Sequence, residues 1–131
     1  MKRIELNYKQ LKDLARFTDP LIHSYEKEEE ILGYFKVGEL RPPSLIENNK
    51  QYLIFNGNHR VLVAINNELT ISCRILENLN DVFQAQKDED DQFRDISTIL
   101  PLTFDGVIKD LIKSAEQYGH QDPAKYSYRD F

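Results

Sequence analysis

The feature that most constrains the fold of this 131-residue chain is a strand, a turn and a helix near its centre. The segment Tyr52-Leu53-Ile54-Phe55 is apolar on both faces, which is typical of a central strand. Asn56-Gly57 ends that strand, and a helix is predicted from about Asn58 to Asn67. Because the first turns of this helix are apolar almost all round, we expect it to lie buried against a sheet.

The turn itself, Asn56-Gly57-Asn58-His59-Arg60, suits the binding of an anion. A strand that runs into a helix through a glycine directs backbone N–H groups and the positive end of the helix dipole outward. Gly57 allows close approach of the backbone, and Asn58 can cap the helix or contact the ligand. His59 and Arg60 add donors, and a guanidinium matches phosphate oxygens. The turn predicts a phosphate-bearing ligand; the alternative is a plain turn with a surface arginine.

The flanking segments predict an α/β (α+β) fold with a small mixed sheet. Alternation predicts strands at Ile4 and Leu6, and at Ile71 to Leu76, where Cys73 lies on the apolar face as a core thiol. Pro42-Pro43 introduces a hairpin strand at Ser44 to Glu47. Helices are predicted over Tyr8 to Arg16 and from an N-cap at Ser24 to about Phe35.

Beyond residue 80 the pattern becomes helical, which predicts a domain over 1–80 and a helical extension with a tail over 81–131. One helix is expected from Asn80 or Asp81 toward Ile96, and another from Thr103 or Asp105 to Gly119. The extension should cover one face of the sheet. Two charged runs are predicted to face solvent, Glu26 to Glu30 and Lys87 to Asp91. The tail, 120–131, is expected to drape on the core or contact a partner.

Composition bears on partners and compartment. The chain has 17 Lys+Arg against 22 Asp+Glu, a net charge of -5, so DNA is not expected as a partner. A single cysteine fits a reducing compartment. The amino terminus does not read as a secretory signal, and the longest apolar run, Val61 to Ile65, is far short of the roughly 20 residues of a membrane span. A cytoplasmic protein without membrane contact is predicted.

From Arg41 to Leu76 the chain resembles the ParB/sulfiredoxin superfamily, and more weakly over about 1–80. The resemblance lies in Arg41-Pro42-Pro43-Ser44-Leu45-Ile46-Glu47, in Tyr52 through the Gly57-Asn58-His59-Arg60 turn, in Ala64, and in Ile71 to Leu76. It implies a sheet of that type and nucleotide chemistry with ATP, ADP or CTP and Mg²⁺. It also implies that Gly57, Asn58, His59 and Arg60, with Arg41, contact the nucleotide phosphates.

The sequence also departs from the family's patterns. Asn58 stands where sulfiredoxins have their catalytic cysteine, the paired arginines of ParB are absent, and Asn56 replaces the aspartate of the kinase-like form Asp-Gly-His-His-Arg. Neither sulfiredoxin activity nor chromosome partitioning is therefore expected. Kinase-like relatives carry a glutamate in the loop before the first long helix, where this chain has Asp19.

Asp19 and His59 are thus the catalytic candidates, with Asp19 accepting a hydroxyl proton or holding Mg²⁺. Taken alone, Asp19 is a turn residue before Pro20; Glu39 is the second choice for the acid. His23 is a candidate for facing the same pocket, beside its interpretation as a capping or surface histidine.

The sequence predicts a nucleotide- or phosphate-binding domain that acts as a small phosphotransferase or nucleotide hydrolase. The alternative is a non-catalytic module, gated by nucleotide or kept for protein interaction, with the helical extension binding a protein. No side chains are assigned to a metal site of their own, and neither the acceptor substrate nor the oligomeric state is assigned.

Overall fold

A five-stranded mixed sheet organises the part of the chain that the computed structural model describes, residues 1–89 and 103–119. Its strands are β1 (Lys2–Leu6), β2 (Ala15–Arg16), β3 (Ser44–Asn48), β4 (Gln51–Asn56) and β5 (Ile71–Ile75). They are ordered β1-β5-β3-β4-β2. The pairs β1/β5 and β3/β4 are antiparallel, whereas β3/β5 and β2/β4 are parallel. The mixed sheet confirms the predicted fold class, and β4 lies inside the sheet as its apolar faces indicated.

Five helices accompany the sheet in the described residues: α1 (Tyr8–Leu14), α2 (Tyr25–Lys36), α3 (Asn58–Asn66), α4 (Leu79–Glu89) and α5 (Phe104–Tyr118). The side chain of Ser24 accepts a hydrogen bond from the Lys27 N–H at 3.1 Å, and that of Thr103 accepts one from the Gly106 N–H at 3.0 Å. The predicted N-cap Ser24 is therefore confirmed, and of the two candidates for the last helix, Thr103 and Asp105, Thr103 is the N-cap. The predicted course of the α4 helix toward Ile96, and the tail after residue 119, lie outside the described residues.

The prediction that the first helix reaches Arg16 is wrong for its last two residues. Ala15 and Arg16 instead form β2, which pairs in parallel with Tyr52 and Leu53 of β4. The strand pairing supplies their backbone groups with partners across the sheet, and this tertiary contact overrides a helical pattern that is only local.

Two hydrophobic cores lie on the two faces of the sheet, because neighbouring residues of a strand point in opposite directions. Leu45 of β3 belongs to the larger core, with α1 and α3, where Leu11, Leu62 and Cys73 are fully buried. The burial of Cys73 confirms the predicted core thiol. Burial also raises the pKa of this thiol to about 12. The adjacent Ile46 belongs to the smaller core, which α4 and α5 close from the other side.

Candidate functional site

A cleft of about 500 Å³ opens beside the start of α3. The residues that line it include all six site residues predicted from the sequence, which are Asp19, Arg41, Gly57, Asn58, His59 and Arg60. Glu39, the second choice for the acid, lines it too. The fold thus brings together segments that are about 40 residues apart in the chain, from the loop after β2 and from the β4–α3 turn.

Gly57 sets the geometry of the turn because its backbone is left-handed, with φ 93°. A Cβ at this position would lie 2.6 Å from Cβ and 2.9 Å from Cα of Pro43, so a side chain does not fit. As the N-cap of α3, glycine has no side chain with which to cap the first turn. The first intrahelical bond runs from the Val61 N–H to the Gly57 carbonyl at 3.0 Å. The N–H groups of the three preceding helical residues therefore have no intrahelical acceptor and can bind an anion.

The Asn58 side chain joins this turn to the loop after β2. Its Oδ1 accepts a hydrogen bond from the Thr18 N–H at 2.9 Å. Its Nδ2 donates to Thr18 Oγ1 at 3.2 Å and to Asp19 Oδ2 at 3.3 Å. Asn58 thus positions Asp19 at the cleft, and its own contribution to a ligand would come from its backbone N–H.

Arg60 is buried, with 9% of its surface exposed, so the alternative of a surface arginine is wrong. Its Nη1 donates to the carbonyl of Arg41 at 2.9 Å and to that of Pro42 at 3.3 Å, and its Nη2 forms an ion pair with Glu89. Burial lowers the pKa of Arg60, while the charge of Glu89 opposes this change. The guanidinium is therefore held rigidly at the cleft with a carboxylate already beside it.

The run Lys87 to Asp91 was predicted to face solvent. Asp88 is exposed, as predicted, whereas Glu89 is half-buried. Asp88 forms an ion pair with Arg74 at 2.8 Å, and its backbone carbonyl accepts a hydrogen bond from Arg41 at 2.6 Å. The hydrogen bond from Arg74 is the largest cause that lowers the pKa of Asp88.

His59 is the first member of a chain of hydrogen bonds that runs from the cleft into the core. Its Nδ1 lies 2.8 Å from Nδ1 of His23, and Nε2 of His23 lies 3.1 Å from Oε1 of Glu28. Oε2 of Glu28 then accepts a hydrogen bond from Nδ2 of Asn67 at 3.0 Å. The planes of the two imidazole rings are inclined by 20°, and their centroids lie 5.0 Å apart. His23 thus contacts His59 from behind, but it is not among the described residues that line the cleft.

The burial of two residues in this series of hydrogen bonds corrects their interpretation from the sequence. His23 is only 4% exposed, so it is not a surface histidine, and Glu28 is only 2% exposed, although the run Glu26 to Glu30 was predicted to be solvated. The signal that could have identified Glu28 is its spacing, since it lies three residues before the buried Ile31 and so on the same helix face. Nothing in the local sequence marks Asn67 as the partner of Glu28.

The surroundings of His59 favour its neutral form. Burial lowers its pKa most, followed by the nearby His23 and Lys27, and Asp19 acts in the opposite direction. Of the residues that the structure describes, those lining the cleft include four carboxylates, Asp19, Glu30, Glu39 and Glu89, and three cations, Lys27, Arg41 and Arg60. Among the residues that the structure describes, no three His, Cys, Asp or Glu side chains are grouped so as to hold a metal ion.

Compared with models of protein families, with curated proteins and with solved structures, the chain matches none. Membership of the ParB/sulfiredoxin superfamily, and a sheet of that type, therefore stay predictions. None of the helices within 1–89 and 103–119 is long and apolar enough to cross a membrane. The function has to be inferred from the residues of the cleft.

Proposed function

We propose that the chain binds the phosphate groups of a nucleotide at the start of α3 and transfers a phosphoryl group to a hydroxyl or to water. It would then be a small phosphotransferase or nucleotide hydrolase that uses ATP, ADP or CTP with Mg²⁺. The observation that carries this proposal is the Gly57 turn, where a left-handed glycine N-cap begins α3 and the first residues of that helix line a cleft of about 500 Å³. A cleft of this size suits a small ligand.

The mixed charges of the cleft favour a metal-bound nucleotide over a free phosphate. Arg60, Arg41 and Lys27 can neutralise phosphate oxygens. The carboxylates of Asp19 and Glu39 would repel them unless a cation lay between, and Mg²⁺ characteristically binds through one or two carboxylates together with substrate phosphates. These two residues are the ones that would hold Mg²⁺. A bound phosphate would also compete with Glu89 for the guanidinium of Arg60.

His59 and Asp19 are the residues proposed for proton transfer. His59 lines the cleft, and its lowered pKa keeps the imidazole neutral near pH 7, the form that accepts a proton. Asp19 lines the same cleft and is held by Asn58.

The first test is thermal unfolding of the wild type and of Arg60→Ala, with Mg²⁺ and ATP, ADP, CTP or GTP in turn. A ligand that binds only the folded state raises the free energy of unfolding by about 2.7 kcal/mol at 100 times its dissociation constant. We expect a clear rise in Tm with one of these nucleotides for the wild type and little or none for Arg60→Ala.

Arg74→Ala is the matched control. Arg74 is also a buried arginine paired with a carboxylate of α4, but it is not among the described residues that line the cleft. We expect this variant to lose stability and to keep the nucleotide-induced rise in Tm. The proposal fails if no nucleotide shifts the wild type, or if Arg60→Ala responds as the wild type does.

Turnover of the nucleotide that binds then separates an enzyme from a binding module. We expect the wild type to release nucleoside diphosphate or phosphate and His59→Gln to lose this activity while still binding. Binding without any turnover, across acceptors that include water, would favour the non-catalytic, nucleotide-gated module.

A further inference from the structure

We infer that His23 and Glu28 are positioning residues that hold His59 in one tautomer, with Nε2 unprotonated and available to the cleft. The inference deepens the proposed function and rests on it for the reaction, but its structural part can be tested without any nucleotide. It assigns a role to two buried polar residues that contact no ligand themselves.

The inference begins at Glu28, a carboxyl residue that is only 2% exposed. Its Oε2 accepts a hydrogen bond from Nδ2 of Asn67, and its Oε1 lies 3.1 Å from Nε2 of His23. An ionised carboxylate can only accept hydrogen bonds. If Glu28 is ionised, the proton of the contact between Glu28 and His23 lies on Nε2 of His23.

The next step follows from the two forms of a neutral imidazole. If Nε2 of neutral His23 carries the proton, its Nδ1 is an acceptor. The 2.8 Å contact between the two Nδ1 atoms needs one donor, which is then Nδ1 of His59. A neutral His59 protonated on Nδ1 has a free electron pair on Nε2. Since His59 lines the cleft and its Nδ1 is turned to His23, Nε2 is the nitrogen left for a ligand.

This tautomer is the one that phosphoryl transfer to a hydroxyl requires of a general base. The hydroxyl proton moves to Nε2 of His59, and the electron pair of the broken O–H bond lets the oxygen bond to phosphorus. The bond from that phosphorus to its bridging oxygen breaks, and its electron pair stays on the departing nucleotide. The imidazolium keeps donating from Nδ1 to His23, whose link to Glu28 offsets the new charge.

Glu28→Gln should reverse the direction of the hydrogen bonds that run from residue 28 through His23 to His59. Nδ2 of Asn67 donates both to Glu28 and to the Val63 carbonyl at 2.9 Å, which fixes the orientation of this amide. The variant keeps an acceptor for Asn67 only if its own NH₂ group points at His23. Nε2 of His23 would then accept, Nδ1 of His23 would donate to His59, and the proton of His59 would move to Nε2.

Long-range ¹H–¹⁵N spectra of the imidazole rings test this directly, because protonated and unprotonated ring nitrogens have well-separated shifts. The spectra are recorded on the whole polypeptide at a pH above the pKa of His59. We expect His59 to carry its proton on Nδ1 in the wild type and on Nε2 in Glu28→Gln. Glu29→Gln, a change at the exposed neighbouring position of α2, should leave the wild-type pattern. Lys27 and Asp19, the other charges that act on His59, are the same in all three proteins.

A wild-type spectrum with Nε2–H on His59 overturns the inference even if no variant folds, and so does a Glu28→Gln spectrum that matches the wild type. The same variants then give the kinetic result. We expect Glu28→Gln to lower kcat with the nucleotide-induced rise in Tm retained, and an unchanged kcat contradicts the positioning role. The expected spectra together with no nucleotide binding would support the tautomer and refute the proposed function, so the two failures are distinguishable.

Discussion

At the scale of single residues, Gly57 decides how closely the chain can pack around the start of α3. Its missing side chain leaves room for Pro43 on one side and for Nη2 of Arg60 on the other, which lie 2.6 Å and 3.0 Å from the place of a Cβ. Its φ of 93° is also one that other residues rarely adopt. The glycine therefore controls both the turn and the position of the guanidinium.

Gly57→Ala should destabilise the protein by roughly 1–3 kcal/mol through the strained backbone alone, and the overlap with Pro43 should add to this. Urea unfolding followed by circular dichroism measures the change. Gly33→Ala is the matched control, because Gly33 lies within α2 and, apart from its chain neighbours and the backbone of its own helix, no heavy atom of the described residues would lie within 4 Å of its Cβ. The control should gain about 0.5–1 kcal/mol, since alanine favours a helix. Similar changes in the two variants would contradict this account of the turn.

At the scale of elements, the sequence predicted best what local contacts determine. The N-caps at Ser24 and Thr103, the β3–β4 hairpin and α3 all follow from patterns within a few residues, and all are present. The existence of β2 depends instead on pairing with β4, in which Ala15 and Arg16 meet Tyr52 and Leu53, far along the chain. No local pattern carries that information.

The candidate site shows the same division. Gly57, His59 and Arg60 were found because they are consecutive or nearly so in one turn, and the resemblance added Asp19. Glu28 and Glu89 were missed because each lies in an acidic run that is indistinguishable, in sequence, from a solvated helix face. Only the partners that the fold brings to them, His23 for one and Arg60 for the other, separate them from their neighbours.

Val107→Ala tests whether α5 and the sheet unfold together as one cooperative unit. Val107 is 1% exposed and packs with Ile46 and Leu76 in the smaller core. Removing its two methyl groups should lower the free energy of unfolding by about 2 kcal/mol. If the sheet shares this core, the free energy that protects the β4 amides from hydrogen exchange should fall by the same amount, and their exchange should be faster.

The control for this change is Val37→Ala, at a position that is 68% exposed, where a change below about 0.5 kcal/mol is expected. Faster exchange confined to α4 and α5 in Val107→Ala, with β4 unaffected, would mean that the predicted division at residue 80 marks two independently stable units. Loss of protection in both places would mean that the helical extension is needed for the stability of the sheet.

At the scale of the whole molecule, two side-chain networks meet at the start of α3. Arg60 joins it to the entry of β3 and to the end of α4. His59 joins it, through His23 and Glu28, to α2. Residues from four separate segments are thereby held around one cleft in a chain whose net charge is -5. A change in the charge of either network should therefore change the free energy of unfolding and not only the properties of the cleft.

The pH dependence of stability is the clearest consequence of the histidine network. The folded protein holds the pKa of His59 below the ordinary value of 6.5, so in the range between the two values the unfolded chain binds more protons than the folded one. The free energy of unfolding must then rise with pH across that range. The stability due to neutral His59 is fully present above 6.5 and is lost as the pH falls through the lowered pKa.

His59→Gln isolates this effect, because the other ionisable groups of the chain are the same in both proteins. We expect the wild type to lose stability relative to His59→Gln as the pH falls from about 8 to about 5, and the difference to become constant once both states are protonated. Urea unfolding at a series of pH values measures it. A wild type that gains stability relative to His59→Gln on acidification would mean that the pKa of His59 is raised, as it would be if Asp19 prevailed over burial, His23 and Lys27. The imidazole would then carry a charge near neutral pH, and His59 would act in the cleft as a cation that binds phosphate instead of as a base.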